Sequence, residues 1–339
     1  MLHLSGQPLL DNAFDAPLFV DRDSELLEAV GAVTRRVNVL MLGQRGIGKT
    51  SFLYRLQADL RRQGLHVVYL AGHAVANTAA ELLSVIRYRL VEPELVTINP
   101  LSDLSSLMMP RRTRVVPEGE RMLREVESLR EALGNPASPA VVLLDEMPIK
   151  EEARKLFARM RDEVWRLPIA WVVAANDSDA ETYLKPPADA FFGRVLRLRP
   201  LPNEAIHRIL ELRAPELAAT TAETLVQHAA GNPRRLISLA QDVVIRGESV
   251  DRLAAEAKSI RKRLEELGEP AQRLYAELEA LGQASPSDQE LLRRLSWKRS
   301  RAQQVMSQLE QAGLILVNQE VQDRGGPRKV YRPRPAGAA

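Results

Sequence analysis

The stretch Gly43-Gln44-Arg45-Gly46-Ile47-Gly48-Lys49-Thr50 constrains this chain more than any other. It fills every fixed position of the pattern G-x-x-x-x-G-K-[ST], and its setting matters as much as its residues. The apolar run Val37–Leu42 leads in and reads as a buried strand. Ser51–Leu60 leads out and reads as a helix. In that setting the glycines let successive backbone N–H groups curl around an anion. The helix that follows turns the positive end of its dipole toward the same point. Lys49 adds a cation and Thr50 a hydroxyl suited to Mg²⁺. Gly43 to Ser51 are therefore the expected cradle for the phosphates of ATP.

The rest of the chain supplies a sheet for such a loop. Apolar runs at His66–Ala71, Val141–Asp145, Ala170–Ala175 and Arg194–Leu198 read as further strands. Segments with helical periodicity separate them, at Phe52–Gln63, Ala79–Leu90, Arg121–Leu133 and Glu151–Arg166. Strands alternating with helices imply a parallel sheet covered on both faces. The proline-bearing stretch 91–118 interrupts the alternation. It holds the basic cluster Arg111, Arg112 and Arg114, expected to be a solvated loop.

Two polar strand ends complete a reactive site. Val141–Leu144 ends in Asp145-Glu146, at the carboxyl edge where ligands bind in open α/β sheets. Asp145 is the expected Mg²⁺-shell carboxylate and Glu146 the expected general base for an attacking water. Trp171–Ala175 ends in Asn176, an amide able to orient that water.

These elements together resemble the AAA+ ATPases, in the group that includes origin-recognition initiators, transposition ATPases and signal-transduction ATPases. Phe19-Val20-Asp21-Arg22-Asp23-Ser24-Glu25-Leu26 is similar to the family's F-x-G-R-x-x-E-L stretch, with Asp21 in place of glycine. The resemblance implies that Phe19, Val20 and Arg22 lie near adenine. Gly231-Asn232-Pro233-Arg234 resembles the start of the family's lid helix, which implies that Arg234 reaches the γ-phosphate. Arg194 stands where such proteins often carry an arginine finger. That implies an ATP-dependent homo-oligomer in which it acts on a neighbouring subunit.

After Pro202 the strands stop. Helices are expected at Asn203–Leu212, Thr221–Ala230 and Pro233–Ile245, followed by a charged connector at Val250–Leu267. A last segment shows three helices, the second opened by a Ser287-to-Glu290 capping box and the third capped by Ser296. Two strands follow, at Leu314–Val321 and Lys329–Arg332. That order, with the run from Ser296 to Ile315, resembles winged-helix regulators. From Arg293 to Arg334 there are ten Lys or Arg against three acids, so this segment is +7 within a chain of net charge +3. Lys298, Arg299 and Arg301 begin the third helix, and Arg324, Arg328 and Lys329 mark the hairpin tip. Those positions suit duplex DNA, by helix in groove and wing on backbone.

The expected fold is α/β: a P-loop AAA+ parallel sheet with a helical lid, followed by an α+β winged-helix domain. The expected boundaries are 1–202 for the nucleotide domain, 203–250 for the lid, 251–268 for the connector and 269–334 for the winged helix. The expected activity is ATP hydrolysis with Mg²⁺, coupled to DNA binding. The competing reading is a signal-transduction switch, or a transposition or defence helper, whose winged helix docks on a protein partner. The absence of cysteine excludes disulfides and thiolate metal sites, and the five histidines show no ligand spacing. No apolar run is long enough to span a membrane, and the N-terminus does not read as a signal peptide. The chain is therefore expected in the cytoplasm.

Overall fold

A computed structural model describes residues 4–72, 78–91, 116–134, 139–147, 149–247, 249–281, 283–320 and 328–334. The basic cluster at 111–114, Arg324 and the residues after 334 lie outside them. The chain divides into two compact bodies. One is Gly6–Arg213 with Gly231–Arg234; the other is Met1–Ser5, Ala214–Ala230 and Arg235–Ala339.

The first body is built on a parallel five-stranded sheet. Its strands are β1 (Val39–Gly43), β2 (Val67–Ala71), β3 (Ala140–Asp145), β4 (Ile169–Asn176) and β5 (Arg194–Leu198), in the order β2-β3-β4-β1-β5. β1 and β3 are buried along their whole length, as strands covered on both faces must be. Side chains alternate between two cores. Leu40, Leu42, Val142, Leu144, Trp171 and Val173 face one, with helices α3 (Ala79–Val91) and α4 (Glu118–Leu133). Val39, Met41, Val141, Leu143 and Val172 face the other, with α1 (Asp23–Thr34) and α2 (Lys49–Arg62). The buried amide of Asn38 ties the sheet together: it donates to the carbonyl of Phe191 at 3.1 Å and accepts from the N–H of Trp171 at 3.1 Å.

Two expectations here need correction. The first strand begins two residues later than Val37, because Arg36 adopts φ +59° and the N–H of Val37 turns back to the carbonyl of Ala32. The single helix expected over Glu151–Arg166 is broken. It consists of α5 (Lys150–Arg154), a π-helical turn at Lys155–Arg159 and α6 (Arg161–Trp165). The wide turn buries Phe157 in an aromatic cluster, 5.8 Å from the ring of Trp171 and 5.1 Å from that of Phe191. Tertiary packing thus overrides the helical period. Helix α7 (Ala180–Leu184) lies between β4 and β5.

Beyond the sheet come α8 (Asn203–Arg213), α9 (Ala219–Ala229), α10 (Pro233–Arg246) and α11 (Val250–Leu267). The second body then adds α12 (Glu269–Leu281), α13 (Gln289–Leu295) and α14 (Arg299–Gln311). An antiparallel pair follows, β6 (Ile315–Glu320) and β7 (Arg328–Pro333). Ala284 bridges to Tyr331 and joins the α12–α13 link to this pair. Leu274, Leu278, Leu291, Val305, Leu309 and Ile315 share its core. The caps differ from those expected. Asp288, not Ser287, accepts the N–H of Leu291. Ser296 does not cap α14; at φ +56° it ends α13, with the N–H of Trp297 returning to the carbonyl of Leu292, and Lys298 is the N-cap. Among the described residues no helix is long and apolar enough to cross a membrane.

Candidate functional site

Strand register assembles the site. Gly43 at the end of β1 pairs with Asn176 at the end of β4 and with Leu198 at the end of β5. Asp145 pairs with Ala71 and Ala174. The polar residues that sequence placed at separate strand ends therefore share one carboxyl edge.

The phosphate loop crosses from that edge into α2. Gly46 (φ +79°) and Gly48 (φ +102°) occupy backbone conformations that side chains disfavour. Gly46 has a further constraint, since a β-carbon there would stand 2.8 Å from Asn232 Oδ1 and 2.9 Å from Arg234 Cβ. Ile47 anchors the loop in the core at 2% exposure. Gln44 is exposed and Arg45 half-buried.

Lys49 Nζ is buried among acceptors. It donates to the carbonyls of Gly43 and Gln44 at 3.1 and 3.2 Å and to Asn176 Oδ1 at 2.7 Å, and it lies 3.5 Å from Glu146 Oε1. Burial pushes its ammonium below the usual lysine range, while the charges of Glu146 and Asp145 oppose that shift. Thr50 Oγ1 donates to Asp145 Oδ2 at 2.7 Å, and the Tyr69 hydroxyl donates to the same oxygen at 2.9 Å. Burial raises the Asp145 carboxyl, and the Thr50 hydrogen bond pulls it back. Burial and the Asp145 charge hold Tyr69 protonated, so it stays a donor. Two hard oxygens, Thr50 Oγ1 and Asp145 Oδ2, thus meet at one point, a donor set that fits Mg²⁺.

Glu146 differs in exposure from its neighbour. Its side chain is 42% exposed and its backbone sits at φ +57°, a strained placement of the kind found at reactive positions. Gly72, just past β2, makes that placement feasible: a β-carbon there would stand 2.0 Å from the Glu146 carbonyl oxygen. Neither Tyr69 nor Gly72 carries a sequence signal of its role. Tyr69 looks like one more strand residue, and the close approach at Gly72 involves a strand more than seventy residues away.

The lid motif touches the loop through its backbone. Asn232 Nδ2 donates to the carbonyl of Arg45 at 2.9 Å, and the N–H of Arg234 donates to the carbonyl of Gly46 at 3.3 Å. Burial, then the charge of Arg45, lowers the Arg234 guanidinium, and Glu146 and Asp145 oppose them. Asn232 is a third residue whose role was not legible in the sequence.

The other expected residues divide. Asp21, in the glycine position, adopts φ +65°, and Arg22 adopts φ +78°; aspartate tolerates the left-handed conformation that glycine would supply. Arg22 is buried and donates to the carbonyl of Arg199 and to Glu25. Phe19 packs at the edge of the α1–α2 core, and Val20 is half-buried beside it. Ser51 Oγ accepts the N–H of Leu9 at 3.0 Å, which lays the N-terminal segment across the start of α2. Arg194 pairs with Val39, four residues from the Gly43–Leu198 register, about 13 Å along the strand. It is exposed and ion-paired with Glu28.

In the second body Lys298, Arg299 and Arg301 are exposed at the start of α14, and Lys329 is exposed on β7. Only the backbone of Arg328 is described. Two guanidiniums lie over the Trp297 ring, Arg301 at 5.8 Å and Arg273 at 6.0 Å from its centroid.

Comparison with known proteins agrees with this geometry. The family model for the AAA ATPase domain matches residues 19–172. A Walker-type ATPase of Pyrococcus abyssi superposes with a TM-score of 0.52 at 16% identity, covering 97% of this chain and 96% of that one. The ORC2 protein of Aeropyrum pernix, in its ADPNP-ADP complexes, superposes with a TM-score of 0.50 at 18% identity, covering 98% and 92%. These likenesses show the fold. No curated protein matches the sequence.

Proposed function

We infer that the chain, whose residues 19–172 match the AAA ATPase domain model, is an ATP-hydrolysing enzyme whose nucleotide state governs the binding of duplex DNA by the C-terminal body. In this reading Lys49 and the loop amides hold the β- and γ-phosphates. Thr50 and Asp145 would hold Mg²⁺, which offsets the charge of the polyphosphate. Glu146, exposed and aimed by its unusual backbone, takes the proton of the attacking water, and Asn176 orients that water. Arg234 reads the γ-phosphate from the helix start that holds the Arg45 and Gly46 carbonyls. A phosphate that reorders the loop therefore pulls on helix α10. In the same proposal 203–250 acts as the lid and 251–268 as the connector, and Arg194 acts on a neighbouring copy.

The observation that carries the DNA reading is the +7 segment and where its charge falls. Three helices and an antiparallel pair with the Ala284–Tyr331 bridge support the reading of this segment as a winged helix. Lys298, Arg299 and Arg301 stand exposed at the start of the helix that would enter the major groove. Lys329 is exposed on the strand that leaves the wing. Most of the affinity would then come from phosphate contacts and fall with salt. The test is fluorescence anisotropy of the full chain on duplex DNA with a non-hydrolysable ATP analogue and with ADP. Binding that differs between the nucleotides and fades from about 50 to about 200 mM salt is expected. No binding at the lower salt would assign the C-terminal body to a protein partner instead.

A further inference from the structure

Helix α11 carries Arg252, Glu256, Ser259 and Arg263 at spacings of four, three and four residues, which sets them along one stripe. That stripe is one wall of a cleft of about 460 Å³ within the C-terminal body, and Gly313, Leu314 and Arg334 form the other. The second wall is well fixed. Arg263 donates to the carbonyl of Ala312 at 3.2 Å, and the N–H of Arg334 donates to that of Leu314 at 3.0 Å. Gly313 ends α14 at φ +68°. A β-carbon there would stand 3.8 Å from Arg334 Nη1 and 4.0 Å from Arg263 Nη1, so two guanidiniums from different elements converge on the space that glycine leaves open.

The charges favour an anion. Among the described residues lining the cleft, three guanidiniums stand with one carboxylate, Glu256, and the C-terminus of α14 contributes only about half a negative charge. The guanidinium fork matches a phosphate in shape as well as charge, and the Ser259 hydroxyl adds a donor. From Arg252 to Arg263 the stripe runs about 16 Å, room for more than one phosphate. α14 is 13 residues long, so Arg299 and Arg301 at its other end are about 20 Å away.

We propose that this cleft binds phosphate groups, supplied by a nucleic-acid strand or by a free polyphosphate. The inference stands apart from the DNA reading above. Its first test is calorimetric titration of inorganic pyrophosphate into the full chain carrying Lys49→Ala, which disables the phosphate loop. One site is expected, weakened about tenfold or more by adding Arg263→Gln with Arg334→Gln. Ser259 is exposed, so Ser259→Glu replaces one hydroxyl donor by a carboxylate in the cleft and leaves all three guanidiniums in place. It should weaken the site as much, and it decides the matter if the double variant fails to fold. The second arm is duplex DNA with Lys49 intact. If a nucleic-acid strand is the source, Arg263→Gln with Arg334→Gln flattens the log–log salt dependence by about two units. Pyrophosphate binding with an unchanged DNA slope identifies a free polyphosphate. If duplex DNA does not bind at all, the DNA reading fails while the pyrophosphate arm still judges the cleft. Pyrophosphate and DNA binding both indifferent to Ser259→Glu would overturn the proposal.

Discussion

Asp145 and Glu146 are adjacent in sequence, yet their surroundings give them different chemistry. Asp145 is buried and accepts hydrogen bonds from Thr50 and Tyr69; Glu146 is half-open and sits 3.5 Å from Lys49. The first suits a fixed cation ligand and the second a base that must meet water. Glu146→Gln should therefore leave ATP affinity near that of the parent and slow turnover about 10²-fold or more. Equilibrium binding beside steady-state hydrolysis checks this, and a parental rate would remove Glu146 from the role. Gly72 tests the same idea from the backbone. In Gly72→Ala the new methyl meets the Glu146 carbonyl at 2.0 Å, so the Glu146 backbone must move while the phosphate loop is untouched. Loss of about 10²-fold in turnover with ATP binding retained is expected, the scale of an ångström misplacement. Full activity in that variant would show that the backbone strain at Glu146 is incidental.

At the scale of elements, legibility depended on how local the determining physics is. The loop from Gly43 to Thr50 and the acidic pair after β3 are short patterns flanked by apolar runs, so their residues and setting could both be read. Strands β1, β3 and β4 were legible because burial on both faces leaves uninterrupted apolar runs. The break at Lys155–Arg159 was not legible, because the reason for it is Phe157 meeting Trp171 and Phe191 from other elements. Ser296 was misread for a related reason. Serine is a common cap, and only the chain reversal after α13 shows that it is a helix stop. Tyr69, Gly72 and Asn232 escaped because each acts on a residue distant in sequence. The charged elements of the second body make a prediction of their own. Lys298 precedes α14 and Lys329 lies on β7, both exposed. Lys298→Ala with Lys329→Ala should weaken binding equally on all duplex sequences and flatten the log–log salt slope by about two units. An unchanged slope would place the DNA elsewhere.

Coupled hydrolysis and DNA binding, as proposed, need communication between copies and between bodies. Arg194 lies at the opposite end of β5 from the phosphate loop, so any action on a γ-phosphate is on a neighbouring subunit. Its exposed pair with Glu28 is a weak restraint. A mixture of Arg194→Ala and Glu146→Gln chains should then hydrolyse ATP faster than either alone, since some interfaces pair the two intact residues. A strictly monomeric chain in ATP, by light scattering, would exclude this. Communication between bodies has a candidate lever in Asn232 and Arg234, which hold the loop carbonyls at the start of α10. If that lever couples the loop to the DNA-binding surface, binding at one site changes the other. The most direct measurement is the steady-state ATP hydrolysis rate of the full chain with and without duplex DNA, at about 50 and about 200 mM salt. A rate that changes with DNA at the lower salt and loses that dependence at the higher is expected; a rate indifferent to DNA at the lower salt would contradict coupling between the two sites.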